Sequence, residues 1–447
     1  MKDLTRGKEG KLILRFALPM LLGNIFHQLY NIVDSVIVGN FIGKEALAAV
    51  GASFPVIFVF FSLVLGITSG ATVVIAQYFG AGDQQRVKRT IDTLLIFLFF
   101  AAILVGLLGM AFSREIFLLL RLPGEVIPMA ELYLKIFFAG VLAFFGFMGT
   151  SAALRGLGDS RTPLYFLIIS TVFNIGFDLL FVVVFGWGIA GVAAASVLAQ
   201  GGAFITAIFY LNRFHPVIRF SLFHWTFDRG LFRRSMRIGL PTGIQQMAVA
   251  MGMMALVWIV DGFGTDVIAA YSVSARLNSL ATLPAMNFGR ALSTFVGQNL
   301  GAQKPHRVKS GFHATLMMSS GLSVGVTLLV VFAGGFIMSL FTQEAAVRQL
   351  GQQYLVIVGS FYVVFSAMFA TSGVLRGAGA TVVPMITTIL SLWFIRIPGA
   401  YLLSQHYGPV GIWWAIPIGW VMGLAMAYGY YLTGRWKDKV VVNRPAQ

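Results

Sequence analysis

The chain reads as an all-α membrane protein: twelve transmembrane helices in two pseudo-symmetric six-helix bundles, an N-lobe and a C-lobe. Three observations lead there. Of 447 residues, 58% are hydrophobic and only 11% charged. Lys and Arg gather in every second connecting segment. Motifs of the first half return in the second at a nearly constant shift of 221.

Composition sets the class. A soluble domain carries roughly 25% charged residues, so the apolar excess must face lipid. Backbone groups cannot stay unpaired there, which leaves helices or a closed barrel. The apolar runs are continuous rather than alternating, and long enough to cross as helices. With no cysteine, disulfide frameworks, thiol catalysis and thiolate metal sites are excluded. A net charge of +16 in a soluble domain would raise nucleic acid as a partner. Here the bases sit in short segments between apolar runs, where membrane topology accounts for them. Lys2, Arg6, Lys8 and Lys11 precede a full-length span, so no cleavable signal pattern is read.

The spans are read at 13–38, 53–79, 91–113, 131–154, 163–186, 188–211, 237–260, 267–298, 313–340, 350–375, 383–404 and 409–432. With a cytoplasmic N-terminus, the inner segments collect 24 of the 32 Lys and Arg. The outer loops keep only Lys44, Arg114, Arg121 and Arg348, with Lys135 just inside the fourth span. This alternation follows the positive-inside rule and would scramble if one span were missed. Both termini are therefore expected in the cytoplasm of a multi-pass plasma-membrane protein. The expected division is 1–211 for the N-lobe, 212–236 for a basic linker, 237–432 for the C-lobe and 433–447 for a tail. The linker mixes Arg213, Arg219, Arg229, Arg233 and Arg234 with Phe220, Phe223, Trp225 and Phe227. It reads as a connector carrying an interfacial amphipathic helix.

The repeat fixes the arrangement. QYFGAGDQQRVK at 77–88 returns as QNLGAQKPHRVK at 298–309, and TSAALRGLG at 150–158 as TSGVLRGAG at 371–379. Pro163 falls on Pro384 and Ser170 on Ser391; near the start, Arg15 and Pro19 fall on Arg237 and Pro241. Six spans per repeat bring both halves in from the same side, as parallel repeats about an axis along the membrane normal. Two such bundles leave a central cleft between them and favour a carrier with alternating access.

At these residues the chain resembles the multidrug and toxic compound extrusion (MATE) family, and within it the DinF-like bacterial branch. The resemblance covers nearly the whole chain. It is carried by YNIVDSVIVGNFIG at 30–43, the QYFGAGD and QNLGA segments, the LRG motifs at 154–156 and 375–377, and NIGFD at 174–178. It implies a V-shaped pair of lobes that export cationic or amphipathic compounds in exchange for H⁺ or Na⁺.

Two acids lie deep in spans, Asp34 and Asp178, both in the N-terminal half and at matching depth. A carboxylate in hydrocarbon is costly and rarely kept without a task. Tyr30 precedes Asp34 by one turn and Asn174 precedes Asp178 by one turn, so each shares its acid's face. The resemblance places Tyr30, Asp34, Asn174, Asp178 and Ser196 at the cation-responsive site of the N-lobe, Ser196 standing where relatives often carry Thr. Asp34, Asp178 and Asn174 offer oxygen ligands for Na⁺, and a buried carboxylate pair can equally hold a proton. The bland reading of each acid is a structural carboxylate bonded to nearby amides.

The second half has no acid deep in a span, so the C-lobe acidic site of some relatives is absent. Arg276, Arg290 and Arg396 fall within spans and should face the cleft, a partner or the interface. Asn24, His27, Gln28 and Asn31 in the first span, with Gln245, Gln246 and Met247 in the seventh, are candidate cleft residues. Arg276 and Arg396 join that set, and there they would suit a substrate with an anionic part or a lipid headgroup. Met251, Met253 and Met254 add soft side chains that suit promiscuous binding but more often pack or face lipid.

No P-loop, HExxH or clustered metal-ligand pattern occurs, so the chain reads as no enzyme. No cofactor is expected beyond the coupling ion. Small amphipathic molecules and membrane lipids are the expected partners, and the chain is expected to act as a monomer. The nearest alternative is a flippase for lipid-linked or lipid-like substrates of the same superfamily. A channel or signalling scaffold is the more distant one.

Overall fold

The computed structural model describes residues 3–214 and 226–442. Among them there are helices and turns and no strand. The helices are α1 (Glu9–Phe41), α2 (Lys44–Gly80), α3 (Gln84–Ala111), α4 (Ser113–Leu119), α5 (Ile127–Ala139), α6 (Val141–Gly156), α7 (Arg161–Asp178) and α8 (Gly188–Phe214). There follow α9 (Arg229–Asp261), α10 (Thr265–Gly301), α11 (Pro305–Ser339), α12 (Ala345–Gly359), α13 (Tyr362–Ala378), α14 (Val382–Ile389), α15 (Ile397–Tyr407) and α16 (Pro409–Leu432). A π-helical turn at Leu179–Val184 extends α7, and another at Leu390–Arg396 joins α14 to α15.

Nine of these helical stretches are long and apolar enough to cross a membrane. Two bent pairs, α5 with α6 at 51° and α12 with α13 at 46°, bring the number to eleven. The twelfth expected span is α10, 37 residues long but without an apolar stretch as continuous as those of the others. Each expected span overlaps one helix or one broken helix. The sequence did not foresee the breaks or the short helix α4.

The chain divides into two compact units. The N-unit is formed by Pro19–Gly239, the C-unit by Asp3–Leu18 with Leu240 onward. This differs from the expected lobes in a reciprocal way. The first turns of α1 pack in the C-unit and the first turns of α9 in the N-unit, the change falling at Pro19 and beside Pro241. A proline inside a helix removes a backbone bond and permits a bend at that point. Polar contacts hold the exchanged segment of α1. Gln298 accepts from the Leu4 N–H at 3.0 Å, and Arg307 pairs with Glu9 at 3.0 Å and donates to Gly7 O at 2.7 Å. In the N-unit, Asp228 N–H donates to Thr93 Oγ1 at 3.0 Å and Arg234 donates to the Tyr78 hydroxyl. The expected linker is thereby shortened. Residues 229–236 are the start of α9, while its centre at 215–225 lies outside the described residues, as does the last third of the expected 433–447 tail, from 443 on.

The N-unit core packs Phe60, Phe61, Phe137, Phe138, Phe144 and Phe145 ring against ring. The C-unit core centres on Trp413, Tyr354, Leu355 and Ile416. Large apolar side chains are left outward, among them Phe332 at 83% and Trp258 at 76% exposure, as a lipid-facing surface requires.

The repeat is visible in the packing. Gly43 and Gly264, 221 apart, open α2 and α10 at φ +119° and +91°, a conformation that costs other residues dearly. The LRG glycines make matching close approaches. A Cβ on Gly156 would meet Ile75 at 2.7 Å and Thr72 O at 3.0 Å. On Gly377 it would meet Val296 at 2.7 Å and Ser293 O at 2.3 Å. Thr72 and Ser293, like Ile75 and Val296, are themselves 221 apart.

Candidate functional site

The N-unit draws its buried polar groups from α1, α5, α7 and α8. Asp34 on α1 is 7% exposed, Asp178 at the end of α7 is fully buried and Asn174 one turn before it is 1% exposed. The two carboxyls face each other within interaction range. Tyr30, one turn before Asp34, is hydrogen-bonded to the Ser196 hydroxyl of α8 at 2.7 Å. Asp34 Oδ1, both carboxyl oxygens of Asp178 and both amide atoms of Asn174 have no hydrogen-bond partner among the described residues. Salt bridges among the described residues involve neither acid. The bland reading, carboxylates bonded to nearby amides, therefore does not describe Asp178.

Local structure explains the placement. Asp178 is the last α-helical residue before the π-turn at Leu179–Val184, and such turns widen a helix locally and recur at functional sites. The turn is braced by stacking of Phe181 on Phe177 at 5.5 Å and on Trp187 at 4.8 Å.

Sequence reasoning missed one neighbour. Tyr133 on α5 lies within electrostatic reach of both aspartates. Its signal was the repeat itself, which aligns Tyr133 with Tyr354. Gln200 follows Ser196 by one turn of α8 and has a buried, unpartnered Oε1. A lone glutamine in an apolar run carries no periodic signal.

Other candidates lie apart from this group. His27 is exposed on α1, 3.3 Å from Asn31 Nδ2 and ring to ring with Tyr30 at 5.9 Å. Asn24, Gln28 and Asn31 are half-buried on the same helix. In the C-unit, Gln245 was expected to face a cleft. It is turned inward instead, donating to Pro384 O at 3.1 Å and Thr388 Oγ1 at 2.6 Å and accepting from Arg376 at 3.0 Å. These bonds tie α9 to α13 and α14. Gln246 and Met247 are half-buried, while Met251, Met253 and Met254 are exposed. Arg276 and Arg290 are exposed on α10; Arg396 is half-buried.

A many-helix apolar bundle in two repeated units, with carboxyls buried inside one of them, is the architecture of a multi-pass membrane protein. The MatE family model matches the chain twice, over residues 19–180 and 241–402. The probable multidrug resistance protein YpnP of Bacillus subtilis (strain 168) is 32% identical over 438 residues, covering 97% of each chain. An FAD transporter of Shewanella oneidensis is 24% identical over 97% of each chain. A solved outward-facing multidrug resistance MATE family transporter of the MOP superfamily superposes with a TM-score of 0.91 at 22% identity, covering 98% of this chain and 99% of that one. This chain belongs to the MATE family of multidrug transporters.

Proposed function

We propose that the chain is a secondary active antiporter of the plasma membrane, with both termini cytoplasmic. It exports amphipathic, often cationic, compounds in exchange for H⁺ or Na⁺, and the coupling ion acts at Asp34 and Asp178. The observation that carries this reading is the pair of facing carboxyls whose oxygens lack protein donors. Two unit charges 4 Å apart repel by about 4 kcal/mol at an effective dielectric of 20. A proton or Na⁺ between the carboxyls removes that repulsion and offsets their desolvation. Asn174 and Tyr30 one turn away, Ser196 bonded to Tyr30, and Tyr133 within electrostatic reach add oxygens around the pair. The free and loaded forms of the pair thus favour different packings of α1 against α7 and α8, and that difference drives alternating access.

Efflux from proteoliposomes under separately imposed proton and sodium gradients tests the reading. Wild type should follow one or both gradients, and Asp34→Asn should lose gradient-driven efflux. Undiminished efflux by that variant would sink the proposal. The substrate class stays open to the same assay. One relative is named for FAD, a phosphate-bearing compound, so anionic as well as cationic dyes belong in it.

A further inference from the structure

Arg396 stands at the end of the C-unit's π-turn, near the middle of the stretch from Val382 to Tyr407. About 16 Å of helix separates it from the nearer end, too far for its side chain to reach the interface. Its stem lies against Gly419 of α16, where an added Cβ would come within 3.1 Å of Arg396 Cβ. Its Nε–H is buried and unpartnered, while the residue as a whole keeps partial exposure.

The surroundings offer Arg396 hydroxyls and ring faces but no carboxylate. Tyr271 and Tyr354 lie within electrostatic reach of Arg396. Trp413 is fully buried, and its indole N–H also has no partner among the described residues. Tyr271 stacks on Trp413 at 5.8 Å and 5°, and Tyr354 meets the same indole edge-on at 5.0 Å. No described acid pairs with Arg396; Asp261, Asp266, Glu344 and Asp438, the acids of the C-unit beyond its first segment, are all exposed. Guanidinium and indole N–H groups can only donate, so these two lack an acceptor.

The repeat sharpens the contrast. Tyr354 corresponds to Tyr133, which lies within electrostatic reach of the acids of the N-unit. A shift of 221 sets Asp178 over Gly399, one turn from Arg396. Each unit therefore buries charge beside a π-turn and this tyrosine, and the sign is reversed in the C-unit.

We propose that Arg396 and Trp413, walled by Tyr271 and Tyr354, form an anion site that takes a carboxylate or phosphate joined to a flat apolar body. The site rests on the reading of the chain as a transporter, and it makes the preferred cargo anionic or zwitterionic rather than purely cationic. The anion comes either from a soluble compound or from a lipid headgroup.

The test measures equilibrium binding of 2-naphthoate and its neutral isostere 2-naphthamide to the full-length protein. Nanodiscs of phosphatidylcholine and of phosphatidylglycerol are compared. No ion gradient is present, so the result is independent of coupling at Asp34. Naphthoate should bind about tenfold or more tightly than naphthamide. Arg396→Gln should abolish that preference and Arg396→Lys should restore part of it, while Lys309→Gln, exposed at the start of α11, leaves it unchanged. Retained binding in phosphatidylglycerol assigns the site to soluble anions, and loss of binding there assigns it to lipid headgroups. Equal affinity for both probes, no naphthoate binding in either lipid, or a preference that survives Arg396→Gln overturns the proposal. Should Arg396→Gln fail to fold, Trp413→Phe removes one donor and should weaken naphthoate severalfold; an unchanged affinity there counts against the site.

Discussion

The hydroxyls of Tyr30 and Ser196 lie 2.7 Å apart and tie α1 to α8 one turn from Asp34. Ser196 stands at a position where threonine would offer the same hydroxyl, and the bond shows why a small hydroxylated residue suffices. Ser196→Ala and Tyr30→Phe should each destabilise the protein by about 0.5–1 kcal/mol. The double variant should cost less than their sum. A double-mutant cycle on thermal unfolding in detergent checks this, and strict additivity would deny the bond an energetic role.

Asp178→Asn should unfold no more readily than wild type, because it removes a buried charge that no protein donor balances. It should also abolish gradient-driven efflux. Tyr133→Phe should keep transport but shift its dependence on pH or Na⁺, since the hydroxyl lies within electrostatic reach of both carboxyls. Vesicle transport across a pH and sodium series separates the two outcomes. A Tyr133→Phe profile identical to wild type would remove that residue from the site.

Arg307 holds the exchanged start of α1 through Glu9, Gly7 and Asn299. Arg307→Ala should speed amide exchange across residues 3–12 by about tenfold, the loss of roughly 1.4 kcal/mol of local protection. Exchange in α3 and α5 should not change. Hydrogen–deuterium exchange with peptide-level mass spectrometry reads both regions at once.

The LRG glycines admit no side chain. Gly156→Ala and Gly377→Ala should each cost about 1–3 kcal/mol through overpacking against neighbouring backbone. Gly429→Ala, with nothing within 4 Å, is the neutral control. Thermal unfolding of the three variants decides it, and equal midpoints would mean that α2 and α10 shift aside freely.

The course of the chain was legible because lipid imposes a coarse rule. Every crossing must be a long apolar helix, and every charge left outside reports its side. That rule, with the recurring motifs, gave the crossing helices, the two halves and the two buried acids from residue type and spacing alone. It gave no information where polarity does not change along the chain. The bend between α5 and α6, the π-turns and the exchange of helix ends at Pro19 and Pro241 arise from contacts between residues far apart in sequence.

The acid site divides the same way. Asp34, Asp178, Tyr30 and Asn174 were marked by their own chemistry, because ionisable and amide groups are conspicuous in an apolar run. Tyr133 was not, since a tyrosine acquires such a position only from what packs against it. Gln245 shows the reverse case: a polar residue in a span looks available to a substrate, yet its amide is spent on bonds to α13 and α14. Residue type and order thus establish a repeated helical transporter with carboxyls in one half. Packing alone decides which polar groups are left without partners, because hydrogen-bond satisfaction depends on neighbours that no local pattern names.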